Sequence, residues 1–247
     1  MTEGTGGVAL LWVAGGAGST LGGAVALEMA RHGVRVALHD DTADTAGGLP
    51  EIRDAVMAAG GEVEIVNSAG LNGSRALAQE AIDRFARLDY LMNLYLPAPE
   101  TDTAEQVAAY PATLLERCRT VGAAIADFAR GGAVINHAPL ASIYAGTRLE
   151  HSMPLLRGGI TGVTRSACLL LAPVGVRVNY IQTGFLNVPE TRAFAGDKLL
   201  RVQVPIGRWS TAEEFAKLAA FITLRATYMT GQGVVLDGGL TAGNTGI

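Results

Sequence analysis

Val8-Ala-Leu-Leu-Trp-Val-Ala14-Gly-Gly-Ala-Gly18-Ser-Thr-Leu-Gly22 is the stretch that decides the fold of this chain. Its first seven residues form a continuous apolar run, which is typical of a strand buried on both faces of a parallel sheet. The glycines that follow predict a tight turn. A helix is expected over Gly22–His32, followed by a second apolar strand over Val34–His39. These segments together predict a βαβ unit.

The same alternation of strand and helix continues to the end of the chain. Further strands are expected over Glu62–Val66, Tyr90–Leu94, Ala133–Asn136, Arg177–Ile181 and Gly233–Leu236. Further helices are expected over Leu49–Ala59, Ser74–Ala86, Tyr110–Ala129, Leu155–Leu171 and Ala212–Thr223. This order predicts an α/β fold with a doubly wound parallel sheet.

The chain is expected to form a single domain, because no linker or break in composition divides residues 1–247. The stretch 187–204 is longer than an ordinary connection between a strand and a helix. It is interpreted as a lid over a substrate site.

The composition argues against several classes of protein. The formal net charge is -4 and the sequence contains no cluster of Lys or Arg, so no nucleic-acid surface is expected. The sequence has no stretch of about 18 uncharged apolar residues, so no membrane span is expected. The N-terminal residues lack the basic start and apolar core of a signal peptide, which favours a cytoplasmic location.

The histidines and cysteines do not predict a metal site. The four histidines show no spacing typical of metal ligands, and no pair of cysteines accompanies them. Cys118 and Cys168 are interpreted as free thiols.

The glycine-rich turn is a candidate dinucleotide site, because a strand precedes it and a helix follows it. Asp40 closes the second strand, where an acid hydrogen-bonds ribose hydroxyls and repels a 2′-phosphate, so it favours NAD over NADP. The plainer alternative is that Asp40 and Asp41 begin a polar loop. The candidate phosphate-binding residues are Gly15, Gly18, Ser19, Thr20, Leu21 and Gly22.

The C-terminal part carries a resemblance to a known family. Val204-Pro-Ile-Gly-Arg208, Tyr228-Met-Thr-Gly-Gln232 and Val235-Leu-Asp-Gly-Gly239 are similar to the second half of short-chain dehydrogenases/reductases. The resemblance covers nearly the whole chain. It implies a Rossmann-type fold, an NAD(P)H cofactor, and a homodimer or tetramer formed through the fourth and fifth helices. It also implies four further cofactor-binding candidates, namely Asn93, Arg157, Thr183 and Gly184.

The residues that this family uses for catalysis are replaced in the present chain. Met153 stands where the resemblance places a catalytic Tyr, and Arg157 follows four residues later in place of a Lys. Pro139 occupies the position of the Ser, and the Asn of the helix falls near Arg117. Methionine has no ionisable proton, so the usual acid cannot act from position 153.

Two functions remain open on this basis. The first is a ketoreductase whose hydride comes from the nicotinamide and whose proton comes from a hydroxyl of the substrate. An aromatic polyketide with a phenol beside its ketone has such a hydroxyl, and its pKa of about 10 equals that of tyrosine. This hypothesis resembles the angucyclinone-type ketoreductases of antibiotic biosynthesis. The second is a non-catalytic protein that binds a dinucleotide or a metabolite.

Tyr95 and His151 are the best candidates for an acid supplied by the protein itself. The apolar, aromatic replacements also predict a pocket for an aromatic ketone. Its expected lining residues are Tyr95, Pro139, Met153, Phe185 and Leu186.

Overall fold

The computed structural model describes residues 6–15, 20–41, 48–67, 73–128, 131–195 and 204–243. Seven parallel strands in these residues form one sheet with the order β3-β2-β1-β4-β5-β6-β7. The strands are β1 (Val8–Gly15), β2 (Arg35–Asp40), β3 (Val63–Ile65), β4 (Tyr90–Leu96), β5 (Ala133–Pro139), β6 (Arg177–Thr183) and β7 (Gly233–Leu236). The predicted doubly wound parallel sheet is confirmed.

Helices cover both faces of this sheet. They are α1 (Thr20–Arg31), α2 (Leu49–Ala58), α3 (Gly73–Phe85), α4 (Ala104–Ala126), α5 (Met153–Leu171), α6 (Pro189–Arg192), α7 (Ala212–Leu224) and α8 (Leu240–Gly243). The apolar faces of α3, α4 and α5 form one core with the sheet, and those of α1, α2 and α7 form a second core on the opposite face. This burial on both sides explains why the strands are continuous apolar runs.

Helix α4 begins at Ala104, six residues before the predicted start. Thr103 and Gln106 form a capping box: the Gln106 N–H donates to Thr103 Oγ1 at 3.2 Å, and the Thr103 N–H donates to Gln106 Oε1 at 2.7 Å. Two free N–H groups at the helix end are thereby satisfied. The pattern Thr-x-x-Gln was present in the sequence and was the signal that would have placed this boundary.

Helices α4 and α5 pack closely where a proline of one meets a glycine of the other. Pro111 lies inside α4, and a Cβ at Gly159 would come within 2.3 Å of its ring. A side chain at position 159 would therefore force the two helices apart.

Arg177, the first residue of β6, hydrogen-bonds to the carboxyl end of α7 and the loop after it. Its guanidinium is buried and donates to the carbonyl oxygens of Ile222 (2.9 Å), Thr223 (2.6 Å) and Ala226 (3.0 Å). The last carbonyls of a helix have no partner within the helix, and a cation there also interacts favourably with the helix dipole. Arg177 thus satisfies backbone acceptors that would otherwise be buried without partners.

Three properties bear on the class of protein. Both cysteines are free, as predicted. Among the described residues, no three His, Cys, Asp or Glu side chains come together as metal ligands. In the same part of the chain, no helix is long and apolar enough to cross a membrane.

Candidate functional site

The strand order places a candidate ligand site at the carboxyl ends of β1 and β4. These two strands are neighbours, with Gly15 opposite Leu96, but the helices that follow them lie on opposite faces of the sheet. Ligands of open parallel sheets bind in the crevice that forms where the chain changes face in this way.

The predicted phosphate-binding residues gather at this point. Gly15 ends β1, and Thr20, Leu21 and Gly22 form the first turn of α1. The N–H groups of a first helical turn have no partner in the helix and point toward the space beyond it, where a phosphate binds. Gly18 and Ser19 lie outside the described residues. The described part of the turn therefore fits a dinucleotide phosphate.

The adenosine end of the candidate site lies beyond β2. Asp40 is the last residue of that strand and lies opposite Val13 of β1. The next residue, Asp41, pairs with Arg117 of α4, and the Arg117 guanidinium lies 3.9 Å from the centre of the Trp12 ring. The sequence placed Arg117 near the family's catalytic asparagine. The structure places it beside Asp41, which directly follows β2.

Asp41 also interacts with a histidine. His39 Nδ1 lies 3.0 Å from the Val66 carbonyl oxygen, which can only accept, so Nδ1 carries a proton and donates to it. His39 Nε2 lies 3.2 Å from Asp41 Oδ1. Burial opposes ionisation of Asp41, but the interactions with His39 and Arg117 outweigh it and hold the pKa of that carboxyl below its usual value. Asp41 is therefore a carboxylate.

The nicotinamide end is expected at the carboxyl end of β6, where a buried histidine holds Thr183. His137 Nδ1 lies 2.9 Å from the Tyr95 carbonyl oxygen, which can only accept, so Nδ1 carries the proton. Nε2 then accepts from the Thr183 hydroxyl at 2.7 Å. Gly184 continues the strand, with its N–H donating to the Leu236 carbonyl oxygen. Thr183 and Gly184 are thus held rigidly between β5 and β7.

Burial lowers the pKa of His137 to about 4, so the ring is neutral in the folded protein. The unfolded chain binds this proton with a pKa near 6.5, so the stability from His137 is complete above that pH and is lost as pH falls toward 4. We expect the free energy of unfolding to drop by about 2 kcal/mol from this group between pH 7 and pH 5. Urea unfolding of wild type and His137→Gln measures it.

The His137→Gln protein should show a flatter pH dependence over that range than wild type. His151→Gln is the control, because His151 is exposed in the turn before α5. Equal slopes for wild type and His137→Gln would contradict a neutral buried imidazole.

Asn93 lies elsewhere than the resemblance implied. Its side chain is fully buried within β4, three residues before the strand ends. Asn93 Nδ2 donates to Asn136 Oδ1 at 2.9 Å, and Asn136 Nδ2 donates to Thr164 Oγ1 at 3.0 Å. These bonds tie β4, β5 and α5 together. Asn93 is therefore enclosed in the core, and its amide group hydrogen-bonds to protein.

Tyr95 and Pro139 lie at the correct edge of the sheet. Pro139 is the last residue of β5 and is opposite Thr183. Tyr95 is nearly buried and stacks on Tyr110, with 3.9 Å between the ring centroids. Burial, and to a lesser degree Asp102, raise the pKa of the Tyr95 phenol well above its usual value. Tyr95 is consequently a poor proton donor.

The three candidate residues around the start of α5 are not brought together. Met153 is the first residue of that helix, and its side chain is fully buried in the core. His151 and Arg157 are both exposed. Met153 was expected to line a substrate pocket, but in this structure it packs against protein in the core.

Phe185 and Leu186 lie directly before the predicted lid, 187–204. The rings of Phe185 and Trp209 contact edge to face, with 5.3 Å between their centroids. Leu186 forms an isolated parallel β-bridge with Ser210. The described part of the lid then packs over the loop after β5, where Phe194 contacts Tyr144 with 4.7 Å between ring centroids. Residues 196–203 of the lid lie outside the described residues.

Comparison with known proteins gives the family. A family model described as enoyl-(acyl carrier protein) reductase matches residues 16–241. Cyclohexanol dehydrogenase from Acinetobacter sp. (strain SE19) is 28% identical over 240 residues, covering 92% of this chain and 93% of that protein. A 3-oxoacyl-(acyl-carrier-protein) reductase from Synechocystis sp. is 26% identical over 236 residues, covering 91% of this chain and 94% of that protein.

A solved structure agrees with this relationship. A protein from Beutenbergia cavernae, described as an NAD(P)-dependent gluconate 5-dehydrogenase with bound NADP at low occupancy, superposes with a TM-score of 0.76. The two chains are 26% identical, and the match covers 96% of this chain and 97% of the other. The chain belongs to the short-chain dehydrogenase/reductase family. It is an NAD(P)-dependent oxidoreductase of that family.

Proposed function

We propose that this protein reduces a ketone with NAD(P)H and takes the proton from a hydroxyl of the substrate. When bound, the nicotinamide supplies the hydride. Hydride transfer turns the ketone into an alkoxide, which then needs a proton. In this family a tyrosine usually donates that proton. Met153 cannot supply it.

Three other ionisable side chains near the carboxyl edge of the sheet are buried and already bonded or stacked, and this observation supports the proposal most strongly. Burial raises the pKa of Tyr144 well above its usual value, and its hydroxyl already donates to the Pro97 carbonyl oxygen at 2.9 Å. His137 is buried and neutral, with both ring nitrogens engaged. Tyr95 is stacked, nearly buried and hard to ionise. None of these three groups is suited to protonate a substrate, which leaves the exposed His151 as the candidate acid of the protein that a substitution must test.

The residues of the protein bind the cofactor and orient the substrate against it. The first turn of α1 holds the pyrophosphate, and the β6 end with Thr183 and Gly184 supports the nicotinamide. Arg157 in place of lysine is always charged and donates to a ribose hydroxyl or to a substrate oxygen through a planar group. Placing the hydride donor against the carbonyl accounts for much of the rate enhancement even without a protein acid.

The aromatic side chains above β5 and β6 favour an aromatic ketone of the polyketide type. Phe185, Trp209, Phe194 and Tyr144 form two ring contacts over this edge of the sheet. Planar rings prefer such surroundings. The relatives named above act on cyclohexanol and on 3-oxoacyl groups by their names, so the aromatic substrate is a proposal for this chain alone. The proposed cofactor is NAD(P)H, with Asp40 favouring NADH.

The first experiment offers NADH and NADPH to the protein with a panel of aromatic ketones that carry a neighbouring hydroxyl, and follows nucleotide absorbance. Oxidation of either nucleotide supports a reductase. Tight nucleotide binding, measured by calorimetry, without oxidation by any ketone would favour the alternative of a dinucleotide-binding protein that has lost catalysis.

Removing the phenol of Tyr95 should leave the reaction nearly intact. We expect Tyr95→Phe to keep kcat within about twofold of wild type, whereas loss of a general acid typically costs about 10²–10⁴-fold. Phenylalanine preserves the stacking on Tyr110. Steady-state kinetics at pH 7 measures the effect, and His151→Ala tests the second candidate acid in the same way. A fall of 100-fold in either variant would show that the protein supplies the proton.

A homo-oligomer is proposed through α4 and α5. Leu155 and Leu169 lie on one exposed face of α5, with exposed fractions of 63% and 79%, and Gly158 and Gly162 between them leave that face flat. An exposed apolar helix face of this kind is typical of a contact between subunits. Light scattering of the purified protein measures its mass in solution.

A further inference from the structure

The hydrogen-bond ladder between β4 and β5 ends before either strand does. Both strands are fully described, yet their pairing reaches only as far as Asn93 and Asn136, while β4 runs on to Leu96. Beyond that point β4 still pairs with β1, and β5 still pairs with β6. The sheet is therefore split between β4 and β5 at its carboxyl edge, where the candidate site lies.

A proline accounts for the split. In the paired part of the ladder, the Ala133 N–H donates to the Asp89 carbonyl oxygen. Counting on by equal steps along both strands, the Tyr95 carbonyl oxygen would accept from the N–H at position 139. Pro139 has no N–H, so this ladder bond cannot form. The Tyr95 carbonyl therefore needs another donor.

The side chain of His137 supplies the missing donor. Its Nδ1–H donates to the Tyr95 carbonyl oxygen at 2.9 Å, across the gap between the two strands. Its Nε2 accepts from the Thr183 hydroxyl of β6 at 2.7 Å. The ring also packs edge to face against Phe215 of α7, with 5.1 Å between the ring centroids. One imidazole thus joins the ends of three strands.

A neutral imidazole suits this place because it carries a donor and an acceptor on opposite sides of one rigid ring. Burial lowers the pKa of His137 to about 4 and so keeps the ring neutral. Since the ring is planar and closely packed, its two bonds fix the distance between Tyr95 and Thr183. His137 itself is only 1% exposed, so it acts on a ligand through these two residues.

We propose that His137 is a positioning residue for hydride transfer: it replaces the ladder bond that Pro139 cannot make and thereby holds the nicotinamide against the substrate. The inference rests on the proposed reduction of a ketone by NAD(P)H. Tyr95 and Pro139 belong to the substrate side of that site, and Thr183 and Gly184 to its nicotinamide side. Without the two bonds these sides move apart, and a displacement of about 1 Å at a reacting centre lowers a rate by about 10²-fold.

Binding of the cofactor with and without its nicotinamide tests this role independently of turnover. Isothermal titration calorimetry compares the nucleotide that wild type binds more tightly, NADH or NADPH, with ADP-ribose or 2′-phospho-ADP-ribose, which lack the nicotinamide. His137→Leu removes both hydrogen bonds and should raise the Kd of the complete nucleotide by at least about fivefold, because its binding site is less preorganised. The Kd of the matching ADP-ribose should stay within about twofold of wild type, because the adenosine end is distant from His137.

Turnover of any ketone that wild type reduces gives a second readout. We expect kcat of His137→Leu to fall by about 10–100-fold while KM for the ketone changes only about threefold, as misplacement of the reacting groups requires. Thr183→Val removes only the hydroxyl and should change the Kd ratio and kcat in the same directions. This variant decides the matter if His137→Leu fails to fold.

Thr223→Val is the matched control for a merely structural effect. It removes a buried hydroxyl whose hydrogen bond stays within α7, to the Ala219 carbonyl oxygen at 2.7 Å. Its Tm should fall, while the Kd ratio and kcat should stay within about twofold of wild type.

Pro139→Ala tests the part played by the proline, because it returns an N–H to the position opposite the Tyr95 carbonyl. In this background, His137→Leu should change the Kd ratio at least about threefold less than it does in wild type, since the two sites share one acceptor. An equally large effect in both backgrounds would overturn the link between Pro139 and His137.

The remaining outcomes separate this inference from the proposed function. A Kd ratio and a kcat that both stay within about twofold of wild type in His137→Leu, or in Thr183→Val where the first variant is unfolded, would overturn the positioning role. Wild type that binds the nucleotide but reduces no ketone would contradict the proposed reduction, whereas the shift in the Kd ratio would still support the role of His137. A folded wild type that binds neither nucleotide would overturn both.

Discussion

Methylating the substrate hydroxyl should lower kcat/KM by about 10²–10⁴-fold, the usual contribution of a positioned general acid. The reduced ketone becomes an alkoxide unless a proton arrives as the hydride is transferred. A phenol beside the ketone has the acidity of a tyrosine, and it is held in place by the substrate's own rings. Its methyl ether has no proton to give.

This comparison needs a control for fit, because a methyl group also adds volume. An analogue in which a methyl ether replaces a hydroxyl far from the ketone should be reduced within a few-fold of the parent compound. Steady-state kinetics with the same nucleotide measures all three ketones. Equal rates for the parent and its O-methylated form would assign the proton to water or to a side chain such as His151.

Replacing Arg177 by Met should destabilise the folded protein by about 3–5 kcal/mol, because three backbone carbonyls lose a charged donor in a buried place. The carbonyl oxygens of Ile222 and Thr223 belong to the last turn of α7, and among the described residues they accept from Arg177 alone. For a chain of this size the expected drop in Tm is about 6–20 °C. Calorimetry or urea unfolding measures it.

Arg225→Met is the matched control, because Arg225 is exposed at the same end of α7. It should cost less than about 1 kcal/mol, as surface substitutions usually do. Arg177→Lys should fall between the two, since an ammonium does not match the fork of donors. A loss below 1 kcal/mol for Arg177→Met would mean that the helix end is satisfied in another way.

The sheet could be predicted from the sequence because its strands are buried on both faces. Runs such as Val8–Ala14 are apolar without interruption, and turn residues separate them from the helices. Strand starts were predicted to within one residue, at Tyr90 and Ala133 for example. The strand ends were less accurate: β5 continues to Pro139 and β6 to Thr183, because pairing with a neighbour extends both beyond the apolar run.

The positions of the site residues were harder to predict, since they depend on contacts between distant segments. Nothing local in the sequence indicates that Arg117 crosses to Asp41, or that His137 holds Thr183. The sequence also does not show how deeply a side chain is buried. Asn93 and Met153 were therefore assigned to ligand contacts, although both are fully buried. The missing tetrad was visible in the sequence. Only the structure showed that Tyr95 and Tyr144 are poor substitutes for it.

Hydride transfer should survive the loss of the protein acid. A single turnover checks this, with a hydroxyl-bearing aromatic ketone and NADH or NADPH that carries deuterium at the transferable position of the nicotinamide. Mass spectrometry of the product then locates the label. We expect one deuterium at the carbinol carbon of the product, both with wild type and with Tyr95→Phe. Nucleotide that binds while every ketone of the panel remains free of deuterium would contradict it.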